Sequence, residues 1–280
     1  MKDWRKRLLG VAKSAGRIYL MLMLAALLGQ RYLIYPAPRE SVRPVSKGGR
    51  HITTRLSDGK QGYAFFTPAQ HGNPTLVVFH GNGEQVADGV WLAETMAISG
   101  IGSLLVEYPG YGLLAKQSST ETALYDAAEV AIRHLERELS VPREQQVLLG
   151  QSLGTGVAVE MAARGHGQRL ILLSAYTSMV DLARKRAPLM PVRWLLFDQY
   201  DSISKAPRIR CDTLLIHGSL DQIVPLEMGK KLSSQIRGAN LWILAGASHN
   251  DLWDRGDTDL VARIIDFARG NGRTATQATQ

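Results

Sequence analysis

The sequence predicts an α/β domain with a doubly wound, mostly parallel β-sheet, and three observations lead to this prediction. Short, nearly continuous apolar runs alternate with longer amphipathic runs from about residue 50 onward. Such apolar runs are typical of strands that are buried on both faces of a parallel sheet. The connections between the runs are short, which favours one domain, from about 45 to 271, over two. The hydrophobic fraction of 45% is ordinary for a protein that forms a core.

The first two predicted strands form a hairpin. The runs Ile52–Leu56 and Gly62–Phe66 are separated by a turn that contains Asp58 and Gly59, a pair that is typical of hairpin turns. Six strands are expected after this hairpin, and their apolar runs are Thr75–Phe79, Ser103–Val106, Gln146–Leu149, Leu170–Leu173, Thr213–Ile216 and Leu241–Leu244.

Helical patterns fill the intervals between these strands. They are expected at Glu84–Ser99, Thr120–Ser140, Gly154–Arg164, Pro225–Ile236 and Asp257–Phe267. One longer connection, Ser178–Arg210, is either a small lid over the carboxyl edge of the sheet or an ordinary connecting pair of helices. The tail at 272–280 is polar and is predicted to be disordered.

The basic character of the chain is concentrated at its N-terminus. The formal net charge is +8, but the first 31 residues hold seven basic residues against Asp3 alone, so the body of the protein is nearly neutral. This distribution argues against a nucleic-acid partner, as does the lack of zinc-finger spacing in the sequence. The single cysteine, Cys211, excludes an intramolecular disulfide and a cysteine-based zinc site, and we expect it to be a small buried hydrophobe.

An apolar run, Ile18–Gly29, follows the basic residues and is unbroken by charge. A basic segment before an apolar core is the layout of a secretory signal or a signal anchor. Because Leu27-Leu28-Gly29 has a leucine where a cleavage site needs a small residue, we expect residues 1–35 to be an uncleaved membrane anchor. The basic N-terminal side would stay cytoplasmic and place the catalytic domain outside the cytoplasm. The alternatives are a helix packed on the domain itself and a helix in the membrane interface.

The pentapeptide Gly150–Gly154 matches the pattern G-x-S-x-G and lies between an apolar run and a helical pattern. A strand, a sharp turn and a helix in this order hold the central serine in a strained backbone conformation with its hydroxyl exposed. Ser152 is therefore a candidate nucleophile, provided that a base and an acid lie nearby in the fold. The pattern alone also fits a glycine-rich turn with a serine that caps the helix.

Further polar motifs follow the carboxyl ends of the predicted strands. In open parallel sheets, binding and catalytic residues lie in the loops at these ends. In chain order the motifs are HGNG at 80–83, EYPGYG at 107–112, GQSLG at 150–154, HGSLDQIVP at 217–225 and SHND at 248–251. This ordered set resembles the α/β-hydrolase superfamily, in particular its serine-hydrolase branch with small membrane-associated esterase-like and aminopeptidase-like members. The resemblance covers about residues 50–270 and implies an α/β-hydrolase fold.

The chain order of this family, nucleophile, acid and then histidine, maps onto Ser152, Asp221 and His249. Nucleophilic catalysis by a serine requires the same three groups: a hydroxyl, an imidazole and a carboxylate. A serine hydroxyl is a weak nucleophile until a neutral imidazole takes its proton, and a buried carboxylate then orients and stabilises that imidazole. We expect Ser152, Asp221 and His249 to be the catalytic residues.

Other residues compete for these roles. His80 and His217 precede glycines at strand ends, where packing beneath the turn is the expected role. Asp251 and Glu107 are rivals of Asp221, although Asp251 can cap the next helix and Glu107 can support the site from below.

An oxyanion hole is expected beside the serine, because acyl transfer places negative charge on the substrate oxygen. The residue after the nucleophile, Leu153, should donate one backbone N–H. By resemblance, the HGNG loop donates the other, from Asn82. The alternative for HGNG is a simple tight turn.

Together these residues indicate a serine hydrolase that acts on an ester or thioester, with a peptide possible, through an acyl-enzyme on Ser152. The expected substrate is a small-molecule or lipid-like ester, and the mechanism needs no metal or organic cofactor. A non-catalytic binding module and an acyltransferase with the same triad are the alternatives. Dehalogenases and epoxide hydrolases of this fold carry an aspartate as the nucleophile, which argues against them here. The sequence does not identify the acyl group or the leaving group of the substrate.

Overall fold

The computed structural model describes residues 3–38 and 40–271, so the tail predicted at 272–280 lies outside the described residues. Within that range, an eight-stranded sheet forms the centre of the protein, with the strand order β1-β2-β4-β3-β5-β6-β7-β8. The strands are β1 (Arg50–Arg55), β2 (Gln61–Thr67), β3 (Thr75–Phe79), β4 (Gly102–Glu107), β5 (Gln146–Gln151), β6 (Arg169–Leu173), β7 (Asp212–Gly218) and β8 (Asn240–Leu244). Strands β1 and β2 form the predicted antiparallel hairpin, and β3 to β8 are parallel. The predicted fold class is confirmed.

Helices connect these strands and cover both faces of the sheet. They are α1 (Asp3–Ile34), α2 (Val90–Ile98), α3 (Glu121–Arg137), α4 (Leu153–Ala163), α5 (Met179–Arg186), α6 (Val192–Leu195), α7 (Ser202–Lys205), α8 (Leu226–Gln235) and α9 (Leu252–Arg269). Alternate residues of β3 belong to two different apolar clusters, Val77 and Phe79 to one and Leu76 and Val78 to the other. Because neighbouring side chains of a strand point to opposite faces, the sheet lies between two cores.

Three elements differ from the sequence predictions. Helix α2 begins at Val90, six residues after the predicted start at Glu84, because Val86–Gly89 form a separate 3-10 helix. Helix α9 begins at Leu252, five residues before the predicted start, because Leu252 is buried against the body of the protein. Strand β8 is partly exposed along its length, and Ile243 is 40% exposed, although its apolar run predicted burial on both faces. The strand lies at the edge of the sheet, where one side has no neighbouring strand, so an apolar run does not guarantee burial there.

The parallel arrangement positions the candidate site. Strands β3, β5, β7 and β8 run in the same direction, so the loops that follow them lie at one edge of the sheet. In the register of β3 and β5, Phe79 is paired with Gly150. The HGNG loop therefore begins directly beside the G-x-S-x-G turn.

The long connection at 178–210, which we call the cap segment, forms three short helices, α5, α6 and α7, rather than a pair of helices. It is joined to α3 by reciprocal hydrogen bonds. The Glu121 carboxylate accepts the backbone N–H groups of Gln199 and Tyr200 at 2.7 and 3.0 Å. The Asp198 carboxylate accepts the N–H of Glu121 at 2.9 Å. Since Glu121 begins α3, its carboxylate and that of Asp198 also lie where the helix dipole favours negative charge.

Helix α1 is continuous over 32 residues and passes through Gln30 and Arg31, which interrupt the apolar run in the sequence. Its portion Arg7–Ile34 is long and apolar enough to cross a membrane. The C-terminal end of α1 does not stand clear of the domain: the hydroxyls of Tyr35, which follows the helix, and Tyr200 of the cap segment are hydrogen-bonded at 3.0 Å. The division of the chain into an anchor at 1–35 and a hydrolase domain at 45–271 stays a prediction.

Candidate active site

Ser152 lies in a strained turn between β5 and α4. Its backbone has φ +48° and ψ −115°, a conformation that non-glycine residues rarely adopt. The glycines on both sides allow the turn to be this tight. A Cβ on Gly150 would lie 2.5 Å from the carbonyl oxygen of Gly154, and a Cβ on Gly154 would lie 2.0 Å from the carbonyl oxygen of Phe79. Only glycine fits at either position without moving backbone.

The side chain of Ser152 is the first member of a hydrogen-bonded chain of three residues. Its Oγ lies 2.9 Å from Nε2 of His249, and Nδ1 of His249 lies 2.8 Å from Oδ2 of Asp221. Asp221 follows β7 and His249 follows β8, so the three groups are 28 to 97 residues apart in the chain. The structure therefore brings together the three residues that the sequence predicted as catalytic.

These contacts determine which nitrogen of His249 carries the proton. A carboxylate can only accept a hydrogen bond, so Nδ1–H must donate to Asp221. In the neutral ring the lone pair is then on Nε2, where it can accept the O–H of Ser152. This is the tautomer that a general base needs to take the serine proton.

Asp221 is held as a carboxylate by several donors. Its Oδ1 accepts the backbone N–H groups of Ile223 at 3.0 Å and Val224 at 2.8 Å, while Oδ2 faces His249. Burial by itself would raise the pKa of Asp221, but the hydrogen bond and charge of His249 and the N–H of Val224 outweigh it. The net effect holds the pKa below its usual value of 3.8. Asp221 is thus ionised across the neutral range.

His217 packs beneath this site, as the sequence predicted for a histidine before a strand-end glycine. It is fully buried, and its Nε2 lies 2.8 Å from the carbonyl oxygen of Val224, which can only accept. Burial lowers the pKa of the ring below its usual value of 6.5, so His217 is a neutral donor. It fixes the loop that carries Asp221 and adds no charge to the site.

His80 and Glu107 form a second buried histidine–carboxylate pair, at the end of β3 and β4. The ring nitrogens of His80 face the carbonyl oxygen of Gly81 at 2.8 Å and the Glu107 carboxylate at 3.2 Å, so both must donate. Burial would lower the pKa of His80, but its bonds to and attraction by Glu107 outweigh this and raise the pKa. The other oxygen of Glu107 accepts the N–H of Val86 at 3.4 Å. Glu107 thus supports the HGNG loop from below, as expected, and does not contact His249.

Asp251, the other rival of Asp221, lies at the N-cap position of α9. Its carboxylate accepts the backbone N–H of Ser248, the residue before His249. Asp251 therefore stabilises the loop that carries the histidine, whereas Asp221 makes the contact with the imidazole.

Sequence reasoning missed a polar chain that flanks the serine. The Gln151 side chain donates to one carboxylate oxygen of Glu84 at 3.0 Å and accepts the indole N–H of Trp253 at 2.9 Å. The other oxygen of Glu84 accepts the N–H of Gly81 at 2.7 Å. The chain joins the HGNG loop, the serine turn and α9. Its members lie inside or beside the recognised motifs, but their mutual contact follows only from the fold.

The two predicted oxyanion donors lie on adjoining elements. Leu153 is the first residue of α4, and Asn82 is in the loop that follows β3 beside the turn. The hydroxyl of Tyr111 donates to the carbonyl oxygen of Asn82 at 3.3 Å and so helps to hold this loop. The roles of both residues stay a prediction. Within the described residues, no cluster of three or more His, Cys, Asp or Glu is arranged to hold a metal ion.

Comparison with known proteins finds relatives over most of the chain. The chain is 30% identical to an uncharacterised protein of Mycobacterium tuberculosis over 228 residues. This aligned region covers 79% of this chain and 81% of that protein. It is 32% identical over 223 residues to the alpha/beta hydrolase domain-containing protein aho-3 of Caenorhabditis elegans, which covers 77% of this chain and 64% of that protein. No family model matches.

A solved structure supports the same fold. An esterase of Pyrococcus furiosus superposes with a TM-score of 0.67 over 84% of this chain and 97% of that one, at 14% sequence identity. An eight-stranded, mostly parallel sheet with a strained serine turn defines a protein of the α/β-hydrolase class. The chain therefore has the α/β-hydrolase fold, and it is similar in sequence to a curated alpha/beta hydrolase domain-containing protein.

The lowered pKa of Asp221 predicts a pH-dependent contribution to stability. A carboxyl whose pKa is lower in the folded than in the unfolded chain stabilises the fold above its unfolded pKa, and this contribution is lost as the pH falls through the folded pKa. The difference in free energy of unfolding between wild type and Asp221→Asn should therefore be larger at about pH 7 than at about pH 3. Urea unfolding of both proteins in the same detergent measures this difference.

Ser152→Ala is the matched control, because it alters the same site without removing a titrating carboxyl. Its difference from wild type should be nearly the same at both pH values. A gap between wild type and Asp221→Asn that stays constant or grows at low pH would contradict the assigned role of the His249 contact.

Proposed function

We propose that the protein is a serine hydrolase that acts through an acyl-enzyme on Ser152. The observation that carries this proposal is the hydrogen-bonded chain from Ser152 through His249 to Asp221, with the serine in a strained turn. Strain at a single non-glycine residue persists only when the surrounding structure maintains it, and such strain is concentrated at functional sites. Similarity in sequence to an alpha/beta hydrolase domain-containing protein of Caenorhabditis elegans supports the same proposal.

Ser152, His249 and Asp221 each have a defined role in the reaction. His249 Nε2 takes the proton of Ser152 as Oγ attacks the carbonyl carbon of the substrate, and a tetrahedral intermediate forms. The resulting imidazolium lies 2.8 Å from the Asp221 carboxylate, which stabilises its charge. His249 then gives the proton to the leaving group, the acyl-enzyme forms, and water repeats the sequence to release the acid and the free serine.

The negative oxygen of the intermediate would be stabilised by backbone donors. Leu153 begins α4, where unpaired N–H groups and the helix dipole favour a negative charge. Asn82 supplies the second N–H from the loop beside the turn. Donors that are already in place when the charge develops contribute about 3 to 4 kcal/mol each to lowering the barrier.

We propose an ester or thioester of a small-molecule or lipid-like acid as the substrate class, hydrolysed without a metal or organic cofactor. The similarity in fold to the Pyrococcus furiosus esterase supports the ester. The triad chemistry also favours esters over amides, because an alkoxide or thiolate leaves the intermediate more readily than an amine.

We further propose that α1 attaches the protein to a membrane and that the catalytic domain is outside the cytoplasm. The most apolar 18-residue stretch within Arg7–Ile34, all of it described by the structure, is not buried by the protein. The basic residues that precede this stretch favour the cytoplasmic side of the membrane.

A fluorophosphonate probe tests the nucleophile. The wild-type protein should become covalently labelled, and Ser152→Ala should not, because the phosphonate reacts with the activated Oγ. In-gel fluorescence measures the labelling. Ser140→Ala is a suitable control, since Ser140 is exposed and also has a positive φ. Labelling that persists in Ser152→Ala would overturn the assignment.

Removal of the base should abolish turnover. His249→Ala is expected to lower the kcat for a short p-nitrophenyl ester by about 10⁴-fold or more, because the serine then keeps its proton. The exposed His71, replaced by Ala, provides a control that should hydrolyse the ester at the wild-type rate. Near-normal hydrolysis by His249→Ala would mean that another group is the base.

Membrane attachment can be tested by fractionation. The full-length protein should stay in the membrane pellet after an alkaline carbonate wash and enter solution only with detergent. Leu24→Arg should weaken this retention, because a central arginine costs about 3 kcal/mol in a membrane helix. A full-length chain that is soluble without detergent would contradict the anchor.

A further inference from the structure

Near its C-terminal end, α1 buries the polar side chain of Gln30 together with Ile34, and exposes several large apolar side chains as well as Arg31. Gln30 is 4% exposed; its amide donates to the carbonyl oxygen of Leu195 at 3.0 Å and accepts the N–H of Phe197 at 2.9 Å. Its neighbours Leu28 and Leu33 are 72% and 76% exposed. A helix on a water-soluble protein shows the reverse pattern. This end of α1 is therefore built to face lipid along its outer side.

The cap segment presents large apolar side chains next to this helix. Leu189, Trp194 and Phe197 are 86%, 84% and 66% exposed, and we call these three the apolar cap face. Gln30 binds the backbone where α6 ends, at Leu195 and Phe197, so this face lies on a segment that is joined to α1. Large exposed apolar side chains that lie on neighbouring elements are typical of a binding surface.

The contacts with α1 also fix the position of the cap segment along the helix axis. The hydroxyl of Tyr19 donates to the carbonyl oxygen of Leu189 at 2.7 Å, while Gln30 binds the backbone at 195–197. Eleven residues of helix separate these two contacts, which is about 16 Å along the axis. The cap segment thus runs beside the very stretch of α1 that is apolar enough to enter a membrane. Wherever Tyr19 and Gln30 lie in the bilayer, Leu189 and Trp194 lie at similar depths.

Charged residues next to the cap face identify the kind of lipid. The basic residues Arg184, Lys185 and Arg186 end α5, and Arg193 lies in α6; all four are exposed. The acidic residues between 178 and 200 are fewer and engaged: Asp181 lies 3.9 Å from Arg184, and Asp198 is buried against α3. A positive rim around an apolar surface is complementary to anionic headgroups above an acyl layer.

We propose that the apolar cap face and the exposed side of α1 form a single membrane-binding surface, which embeds the cap segment in the leaflet of an anionic bilayer. The protein would then be held by two elements, the helix and the cap, and the domain would have a fixed orientation on the membrane. The proposal does not use the chemistry of Ser152.

The position of this surface bears on the substrate. The cap segment follows β6, whose last residue, Leu173, pairs with Gln151 next to the serine. The membrane-binding surface and Ser152 are thus at the same edge of the sheet. This consequence rests on the proposed hydrolase function: it favours amphiphilic esters whose acyl chain is held in the bilayer over freely soluble ones.

Site-specific fluorescence in the full-length protein tests the surface. Trp194→Cys in a Cys211→Ala background is labelled with an environment-sensitive NBD probe and reconstituted in vesicles of phosphatidylcholine and phosphatidylglycerol. Ile98→Cys in the same background is the matched control, since Ile98 is 87% exposed on α2. We expect blue-shifted emission at position 194 that is quenched by lipids with doxyl-labelled acyl chains, and water-like, unquenched emission at position 98. A probe at Leu189→Cys should behave as at position 194.

Several results would overturn the proposal. Emission at position 194 that matches the probe at position 98 would show that the cap face is in water. A blue shift without quenching by doxyl lipids would show that protein, such as a second copy of the chain, covers the face. Equal quenching at position 194 in vesicles of phosphatidylcholine alone would show that the basic rim does not select anionic lipid. None of these readouts requires catalysis, so their failure is distinct from failure of the hydrolase proposal.

Discussion

The candidate site depends on the close approach of three backbone segments, the end of β3, the end of β5 and the start of α4. Side chains at positions 150 and 154 would each push into backbone, because the spaces their Cβ atoms need are filled by the carbonyls of Gly154 and Phe79. This contact forces Ser152 into its positive φ and places the first turn of α4 against the HGNG loop. The nucleophile and both proposed oxyanion donors are thus positioned by one steric constraint.

Around this turn, two buried histidine–carboxylate pairs differ in their contacts and hence in their chemistry. His80 has an acceptor at each ring nitrogen, Gly81 O and the Glu107 carboxylate, and neither nitrogen faces a hydroxyl. His249 has one acceptor and one hydroxyl, so it keeps a lone pair for the serine. The first pair therefore supports the loop, while the second is suited to move a proton.

Helix α1 and the cap segment follow a different physical rule from the rest of the chain. In the body of the protein, apolar side chains lie inside and polar ones outside. In α1 the polar Gln30 is buried along with Ile34, and large apolar residues such as Leu28 are exposed. An amide that is buried and fully hydrogen-bonded costs little, whereas an exposed leucine is favourable only where lipid replaces water. This difference is what the proposed membrane-binding surface would explain.

The sequence by itself determined the order of strands and helices along the chain, since apolar runs and their spacing follow from burial in a parallel sheet. It also predicted Ser152, Asp221 and His249 as the catalytic residues, because the chemistry needs these residue types and the resemblance to α/β-hydrolases supplies their order. Only the tertiary structure decided which side chains meet. Two of these contacts, that of Gln151 with Glu84 and Trp253 and that of Gln30 with the cap segment, join residues that are distant in sequence. The early start of α9 and the exposure of β8 also depend on how these elements pack. Local patterns carry no information on such contacts, because they arise from packing of elements whose separation along the chain is arbitrary.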